Sequence, residues 1–459
     1  MSSAGAKSSA GAKSGADAKL NTDAKPGAGA LRPRLDTAAF PSLGPGQLRP
    51  GRDVDAIDDV LPQAVITARE PAHVLDTIEE ARGKGLGVVT SGGGTLLHIG
   101  APPRHYDIRL SMTAIGNILE QNPEDMTVTC EAGVSLSRLQ RSLARVGQRL
   151  AIDAAKEDRA SMGGIVATNA TGGLRHGFGL PRDLVLGLTA IDGCGRTLKA
   201  GGRVVKNVAG YDLVRLLAGS WGGLAILTEL TLRTHPLPPA AATLVFEFVS
   251  PAELDAARSR LLAQPLPLAA LDFAVDTSGS TALWLLVVRV EGTEEEVADQ
   301  GDRVCAAVGR EPADALEDWE SPAHVDAEGG LTLAVSVSPP ALVAAVRSAL
   351  DHLGETGTRL AHVSLRVGGH LGAGIARFHL AAAETGGTNA LYSAFTALWA
   401  ATEPGDVIRS RVIERAPRAI KTTHEVWGRP PAALAVMRTI KRRFDPGDVL
   451  APGRFVGGL

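Results

Sequence analysis

The stretch Ser161-Met162-Gly163-Gly164-Ile165-Val166-Ala167-Thr168-Asn169-Ala170-Thr171-Gly172-Gly173 carries no charge and little side-chain bulk. It reads as too glycine-rich for an ordinary helix, because glycine is entropically costly there unless a turn or a close approach requires it. A second stretch of the same character, Thr90-Ser91-Gly92-Gly93-Gly94-Thr95, follows the apolar run Leu86-Gly87-Val88-Val89. A strand feeding a glycine loop presents successive backbone N–H groups to an anion. Two such loops, at 91–95 and 161–173, point to a diphosphate held from two sides; tight turns are the alternative reading.

The totals bound the rest. A chain of 459 residues exceeds the usual single domain. With 44% hydrophobic and 21% charged residues it belongs among globular proteins with a sizeable core. A formal net charge of −3, with no basic block, argues against nucleic acid. Cys130, Cys194 and Cys305 are the three cysteines, widely spaced and odd in number. That argues against a disulfide framework, zinc or an iron–sulfur cluster within the chain and fits a reducing, cytoplasmic setting. No apolar run reaches membrane-span length, so any membrane association is expected through a partner.

Residues 1–45 form a low-complexity tail in which Ser-Ala-Gly-Ala-Lys recurs at 3–7 and 9–13; such a composition is expected to stay disordered. From about Asp53 the pattern is globular. Pro71 opens a helix bearing Val74, Leu75 and Ile78, and Gly83 and Gly85 end it. Strands follow at 86–90 and near Tyr106 to Leu110. Met126 to Glu131 alternates as a strand does, and Ser135 caps a helix with Leu136, Leu139, Leu143 and Val146 on one stripe. Residues 183–192 and 224–233 read as further strands.

Beyond Pro239 strands and helices alternate without glycine loops. Strands are expected at 244–248, 269–275, 282–290, 331–337, 360–367, 374–381 and 407–413, with helices at 251–263, 293–308, 339–353 and 388–401. An antiparallel sheet with helices on one face satisfies that order. The acidic segment 309–329 reads as an inserted, solvated loop.

Taken together, Gly92-Gly93-Gly94-Thr95, Glu131-Ala132-Gly133-Val134, Gly163-Gly164-x-x-Ala167-Thr168-Asn169-Ala170, Arg182-Asp183-Leu184-Val185-Leu186-Gly187, Lys206-Asn207-Val208-Ala209-Gly210-Tyr211-Asp212-Leu213, Gly219-Ser220-x-Gly222 and Phe444-Asp445-Pro446-Gly447 resemble one family. It is the FAD-linked oxidase superfamily typified by vanillyl-alcohol oxidase and the FAD-linked D-lactate and glycolate dehydrogenases. The run 201–207 and Val426-Trp427-Gly428 are most similar to the FAD-binding subunits of bacterial glycolate oxidases.

The resemblance implies an α+β fold: a two-subdomain FAD-binding domain at 50–237, an α+β cap with antiparallel sheet at 240–415, and a C-terminal segment, 416–459, returning to the FAD domain. It implies that FAD meets Ser91, Gly92, Gly93, Gly94, Thr95, Asp153, Ser161, Gly163, Gly164, Ala167, Thr168, Asn169, Lys206, Tyr211, Gly222 and Ile226. Thr95 stands where relatives with covalent flavin have histidine, so non-covalent FAD is expected; His98 lies too far along. Trp221, Gly223 and Ala154 also depart from the commoner pattern.

The implied chemistry is hydride transfer from the α-carbon of a 2-hydroxy acid to flavin N5, with electrons passing to a partner. A second FAD subunit and an iron–sulfur subunit are the implied partners. A base must take the hydroxyl proton and a cation must orient the carboxylate. His370, Arg366, Lys421 and His424 are the candidates, with His379, Arg411 and Arg415 behind them; each has a structural or solvated alternative. The segment Gly368-Gly369-His370-Leu371-Gly372-Ala373-Gly374 lacks the carboxylate expected beside its histidine, and no metal site is expected. A stand-alone dehydrogenase of another alcohol or hydroxy acid, or a non-catalytic flavin-bearing subunit, are the alternatives.

Overall fold

A computed structural model describes residues 40, 42–202, 211–279, 281–316, 321–322, 324, 329–355, 362–382 and 387–459. Three sheets carry the architecture. The first has four strands in the order Leu48–Pro50, Ala64–Thr67, Ile108–Ser111, Val88–Ser91. Its last three are mutually parallel, as a β-α-β crossover requires. The crossover helix Pro71–Lys84 has Pro71 in its first turn, where a missing N–H costs nothing, and ends at Gly85 in the left-handed conformation (φ 64°). Gly83 lies inside this helix.

The second sheet is antiparallel, in the order Ile118–Asn122, Thr127–Glu131, Ala225–Arg233, Val185–Asp192, Thr197–Gly201. Helix Leu136–Ala144 buries Leu136, Leu139 and Leu143 in this sheet's core cluster. Ser135 caps it by accepting the Arg138 amide. Val146 falls beyond the helix end and is exposed, so it does not extend the stripe.

The opening glycine stretch turns out to be helical over Met162–Thr168, contrary to the reading from composition. Packing overrides propensity here. A Cβ on Gly163 would sit 2.7 Å from the Ala132 Cβ, so only glycine lets the helix lie this close to the second sheet. Ser161 Oγ accepts the Gly164 amide at 3.2 Å, and Asn169 (φ 55°) closes the helix in the left-handed region it tolerates.

The third sheet is antiparallel, eight strands in the order Asp314–Leu316, Ala240–Phe248, Leu283–Gly292, Ala270–Asp276, Val363–His370, Ile375–Ala382, Leu331–Val337, Ile408–Arg415. Helices Pro251–Leu262, Glu294–Val308, Leu342–Glu355 and Thr388–Ala401 share its core. Alternation decides which side chains they cover. Ala376, Phe378 and Leu380 enter this core, as do Leu331, Leu333 and Val335, which leaves Arg377 and Thr332 for the opposite face. The segment read as a solvated loop instead supplies the edge strand Asp314–Leu316 and the buried Ser321.

The C-terminal residues close back on the first two sheets. The Val88 amide donates to Val449 O and the Ala451 amide to Val88 O, both at 2.8 Å. Lys441, buried at the end of helix Leu434–Phe444, donates through Nζ to Gly223 O (2.9 Å), Leu450 O (2.7 Å) and Asp445 Oδ2 (2.6 Å). Asp445 also accepts the Val449 and Leu450 amides. Asp445 of the Phe444-Asp445-Pro446-Gly447 motif is thus the buried centre of a knot that pins the chain end. Arg149 and Glu291, on strands Gln148–Arg149 and Leu283–Gly292, form a second tie, between the second-sheet region and the third sheet.

Candidate active site

A cavity of about 310 Å³ lies where the glycine segments meet the polar face of the third sheet, at the lower end of the usual range for ligand pockets. The loop 89–99, the segment 160–171 and residues 221–227 supply one side. Thr332, Arg377 and Glu414 come from the third sheet, with His324 beside them. Trp427, Ala451, Arg454 and Phe455 come from the C-terminal segment.

Backbone packing explains the bareness of the loops. A Cβ on Gly93 would fall 1.7 Å from the Arg159 carbonyl oxygen, and one on Gly92 1.8 Å from Ser161 Oγ. The glycines of the first loop therefore seat it against Arg159 and Ser161, at the start of the second segment. Gly164 and Gly222 differ: an added Cβ meets only Ser161 Oγ at 3.1 Å in the first case and nothing within 4 Å in the second. The amides of Gly93, Gly94 and Thr95 make no hydrogen bond among the described residues. Unused donors on bare backbone at a cavity wall are the donor set a diphosphate needs.

Ser91, Gly92, Gly93, Gly94, Thr95, Ser161, Gly163, Gly164, Ala167, Thr168 and Asn169 all line this cavity, as do Gly222 and Ile226. Asp153 lies behind the wall, where its carboxylate accepts Thr171 Oγ1 (3.0 Å) and the Gly172 (2.9 Å) and Leu174 (3.1 Å) amides. Tyr211 is 95% exposed and away from the lining. Lys206 lies outside the described residues.

The four acid–base and cation candidates are not brought to the lining. Arg366 is exposed on Val363–His370. Lys421 is buried against Asp58 (2.6 Å) and the His98 carbonyl; burial pushes its pKa down against the pull of Asp58. His424 packs edge-on against Phe395 and Trp399. His370 is 1% exposed, with Nδ1 2.8 Å from Asp272 Oδ1. A carboxylate therefore does accompany this histidine, but it comes from strand Ala270–Asp276, nearly a hundred residues upstream (|i−j| = 98). Arg411 stacks over Trp399 and pairs with Glu403.

The cavity's charged groups are others. Arg377 Nε donates to Glu414 at 2.9 and 3.1 Å, and no partner for its Nη nitrogens occurs among the described residues. Arg175 joins it on the lining; burial is the main cause of its lowered pKa, and Arg377 adds to it. Arg454 Nη2 donates to Leu97 O (2.7 Å) and Ile99 O (2.6 Å), fixing the 97–99 backbone. Trp221, Trp427 and Phe455 meet edge to face with 5.0 Å between successive rings. Among the described residues no group of three or more His, Cys, Asp or Glu is arranged to hold a metal ion.

Residues 62–201 match the FAD binding domain family. The chain therefore carries an FAD-binding domain. It is 33% identical over 227 residues to the glycolate oxidase subunit GlcE of Escherichia coli (strain K12), an alignment covering 49% of this chain and 61% of that one. It is 29% identical over 419 residues to the D-lactate dehydrogenase of Archaeoglobus fulgidus, covering 86% and 91%. The solved structure of an alkyldihydroxyacetonephosphate synthase superposes with a TM-score of 0.63 at 15% identity, covering 85% of this chain and 76% of that one. That is a likeness of fold, and it agrees with the α+β, vanillyl-alcohol-oxidase-type architecture. The FAD cofactor fits the unused amides and the open ground over Gly164 and Gly222.

Sequence reasoning missed Arg377, Glu414, Thr332, His324 and Arg175. A signal for Arg377 existed: within Ile375–Ala382 the apolar Ala376, Phe378 and Leu380 occupy every second position, so Arg377 must face away from the core. His324 had none, lying in an acidic segment without periodicity.

Proposed function

We propose that the chain oxidises a small 2-hydroxy acid, of the glycolate or D-lactate kind, using dissociable FAD, and passes the electrons to a partner. One observation carries the reading: a single cavity joins bare backbone amides to an arginine, and among the described residues the amides are unsatisfied and the arginine is held by its Nε alone. The names of the relatives, glycolate oxidase subunit and D-lactate dehydrogenase, agree with it. We assign residues 50–237 to cofactor binding, 240–415 to the cap and 416–459 to the returning segment. Bound against the glycine segments, FAD supplies a two-electron hydride acceptor.

The remaining work falls to side chains. Glu414 fixes the Arg377 guanidinium in one plane, so its Nη groups are pre-oriented for a substrate carboxylate, in the bidentate geometry that arginine favours. Arg175, desolvated nearby, adds positive potential that draws the anion in. Thr332, whose hydroxyl is hydrogen-bonded with His379 Nδ1 at 2.9 Å, lines the same face. Thr95, at the position where relatives with covalent flavin have histidine, supports non-covalent attachment. The subunit name of the Escherichia coli relative supports membership of a complex; a second FAD chain and an iron–sulfur chain are the partners we propose for it. No described helix is long and apolar enough to cross a membrane; we place the chain in the cytoplasm, with membrane contact through a partner.

The test is anaerobic addition of glycolate and D-lactate to the FAD-loaded chain. One of them should bleach the flavin absorbance, and Arg377→Met should raise KM for it by about tenfold or more, the loss of one charge-assisted pair. Acid precipitation should leave the flavin in the supernatant. A flavin that no 2-hydroxy acid reduces, alone or with added partner subunits, ends this reading.

A further inference from the structure

Asp272 is fully buried and uses both carboxylate oxygens. Oδ1 holds His370 Nδ1 at 2.8 Å, and Oδ2 accepts the Ser321 hydroxyl at 2.6 Å. Ser321 in turn begins a tight turn, its carbonyl accepting the His324 amide at 2.8 Å. One carboxylate thus anchors both a buried imidazole and the turn that delivers a second imidazole to the cavity wall. The glycines of 368–374 make this possible. A Cβ on Gly368 would lie 2.2 Å from the Pro322 carbonyl oxygen, so that position must be bare for the turn to rest on strand Val363–His370. A Cβ on Gly372 would lie 2.2 Å from His176 Nδ1, which brings a third imidazole up to the same cluster. The motif is therefore shaped around side chains and a turn of the protein itself. His370 Nε2 is buried with no hydrogen-bond partner among the described residues, an arrangement that calls for a use.

We propose that His324 accepts the substrate's hydroxyl proton in the cavity, and that Asp272, acting through Ser321, is its positioning residue. This rests on the 2-hydroxy-acid reading given above. In the step, the substrate O–H bond breaks and its proton passes to a neutral imidazole nitrogen of His324. The carbonyl forms as the α-hydrogen leaves as hydride, its electron pair going to the flavin. The groups bearing on His324 are Asp153, Arg377, His370 and Asp272. Burial pushes its pKa down, the two carboxylates pull it up, and Arg377 and His370 oppose them. A histidine kept neutral beside two carboxylates is ready to take a proton and to hold it once taken.

The experiment counts protons without turnover. Oxalate, a planar dianion resembling the deprotonated substrate, is titrated calorimetrically into the FAD-loaded chain at neutral pH in two buffers of different ionisation enthalpy. Wild type should take up about one proton per site, because the anion favours imidazolium. His324→Gln should bind oxalate with that uptake nearly abolished. Asp272→Asn should move the half-point of uptake to lower pH. If Asp272→Asn does not fold, Ser321→Ala gives the same shift in smaller measure, and FAD content with melting temperature certifies each variant. Unchanged uptake in His324→Gln overturns the proposal while substrate bleaching of the flavin still upholds the reading beneath it. Absence of both oxalate binding and bleaching overturns both.

Discussion

Replacing Gly93 and Gly164 one at a time separates what the two glycine segments do. Gly93→Ala puts a methyl carbon 1.7 Å from the Arg159 carbonyl oxygen and 2.5 Å from its carbonyl carbon. Contact distance for such atoms is about 3.5 Å, so the overlap approaches 2 Å. Both partners are backbone, and no rotamer change relieves the clash; the 91–95 loop or the turn ending at Arg159 must move. The cost should lie at the upper end of the overpacking range, about 3 kcal/mol. Gly164→Val is a different perturbation. Its Cβ meets only Ser161 Oγ, at 3.1 Å, and valine suits a helix slightly better than glycine, by roughly 0.3 kcal/mol. The apoprotein should therefore melt as wild type does, while bulk added to the cavity lining excludes the cofactor. A hundredfold weaker FAD affinity, about 2.7 kcal/mol, is the expected size. Fluorescence titration of deflavinated protein, with calorimetric melting of each apoprotein, reads both quantities. Gly93→Ala should lower melting temperature and affinity together, Gly164→Val affinity alone. Wild-type FAD affinity in Gly164→Val would refute the placement of cofactor along 161–168. An unchanged melting temperature in Gly93→Ala would refute the packing of the 91–95 loop on the turn ending at Arg159.

Lys441→Met should destabilise the protein by about 3–5 kcal/mol in urea unfolding, because Asp445 is left charged and buried with two unpaired carbonyls beside it. Adding Asp445→Asn should recover part of that loss; a single variant as stable as wild type would mean the knot is dispensable. Acid should also weaken the fold. Burial, the largest cause in each case, lowers the pKa values of His176, His235 and His324, so below the unfolded imidazole value of 6.5 the unfolded chain binds more protons than the folded one. Stability is then complete above that pH and declines as pH falls through the lowered folded values. A melting temperature that climbs between pH 7 and pH 5 would contradict the sign.

The cofactor-binding half was legible because its requirement is local. Bare backbone at a strand end and at a helix start must be written as glycine and other small residues, and positions 91–95 and 161–169 carry them whatever else the chain does. The third sheet was legible for a similar reason, since burying one face forces an apolar residue at every second position of each strand. Even so, composition misled about Met162–Thr168. Helix or loop there is settled by how near Ala132 lies, which no window of sequence contains.

The chemistry-bearing residues depended on tertiary structure alone. Arg377 and Glu414 sit on successive strands of the chain that are not neighbours in the sheet, with Leu331–Val337 between them, and they meet across that strand's polar face. Asp272 reaches His370 only because Ala270–Asp276 pairs with Val363–His370. His324 enters the cavity because Ser321 is tied to that same carboxylate and Gly368 leaves room for the turn. Periodicity says which face a side chain takes; only the order of strands says which other side chains share that face. The sequence alone therefore determined that this chain has a surface for a dinucleotide, and folding decided which polar groups look out over it.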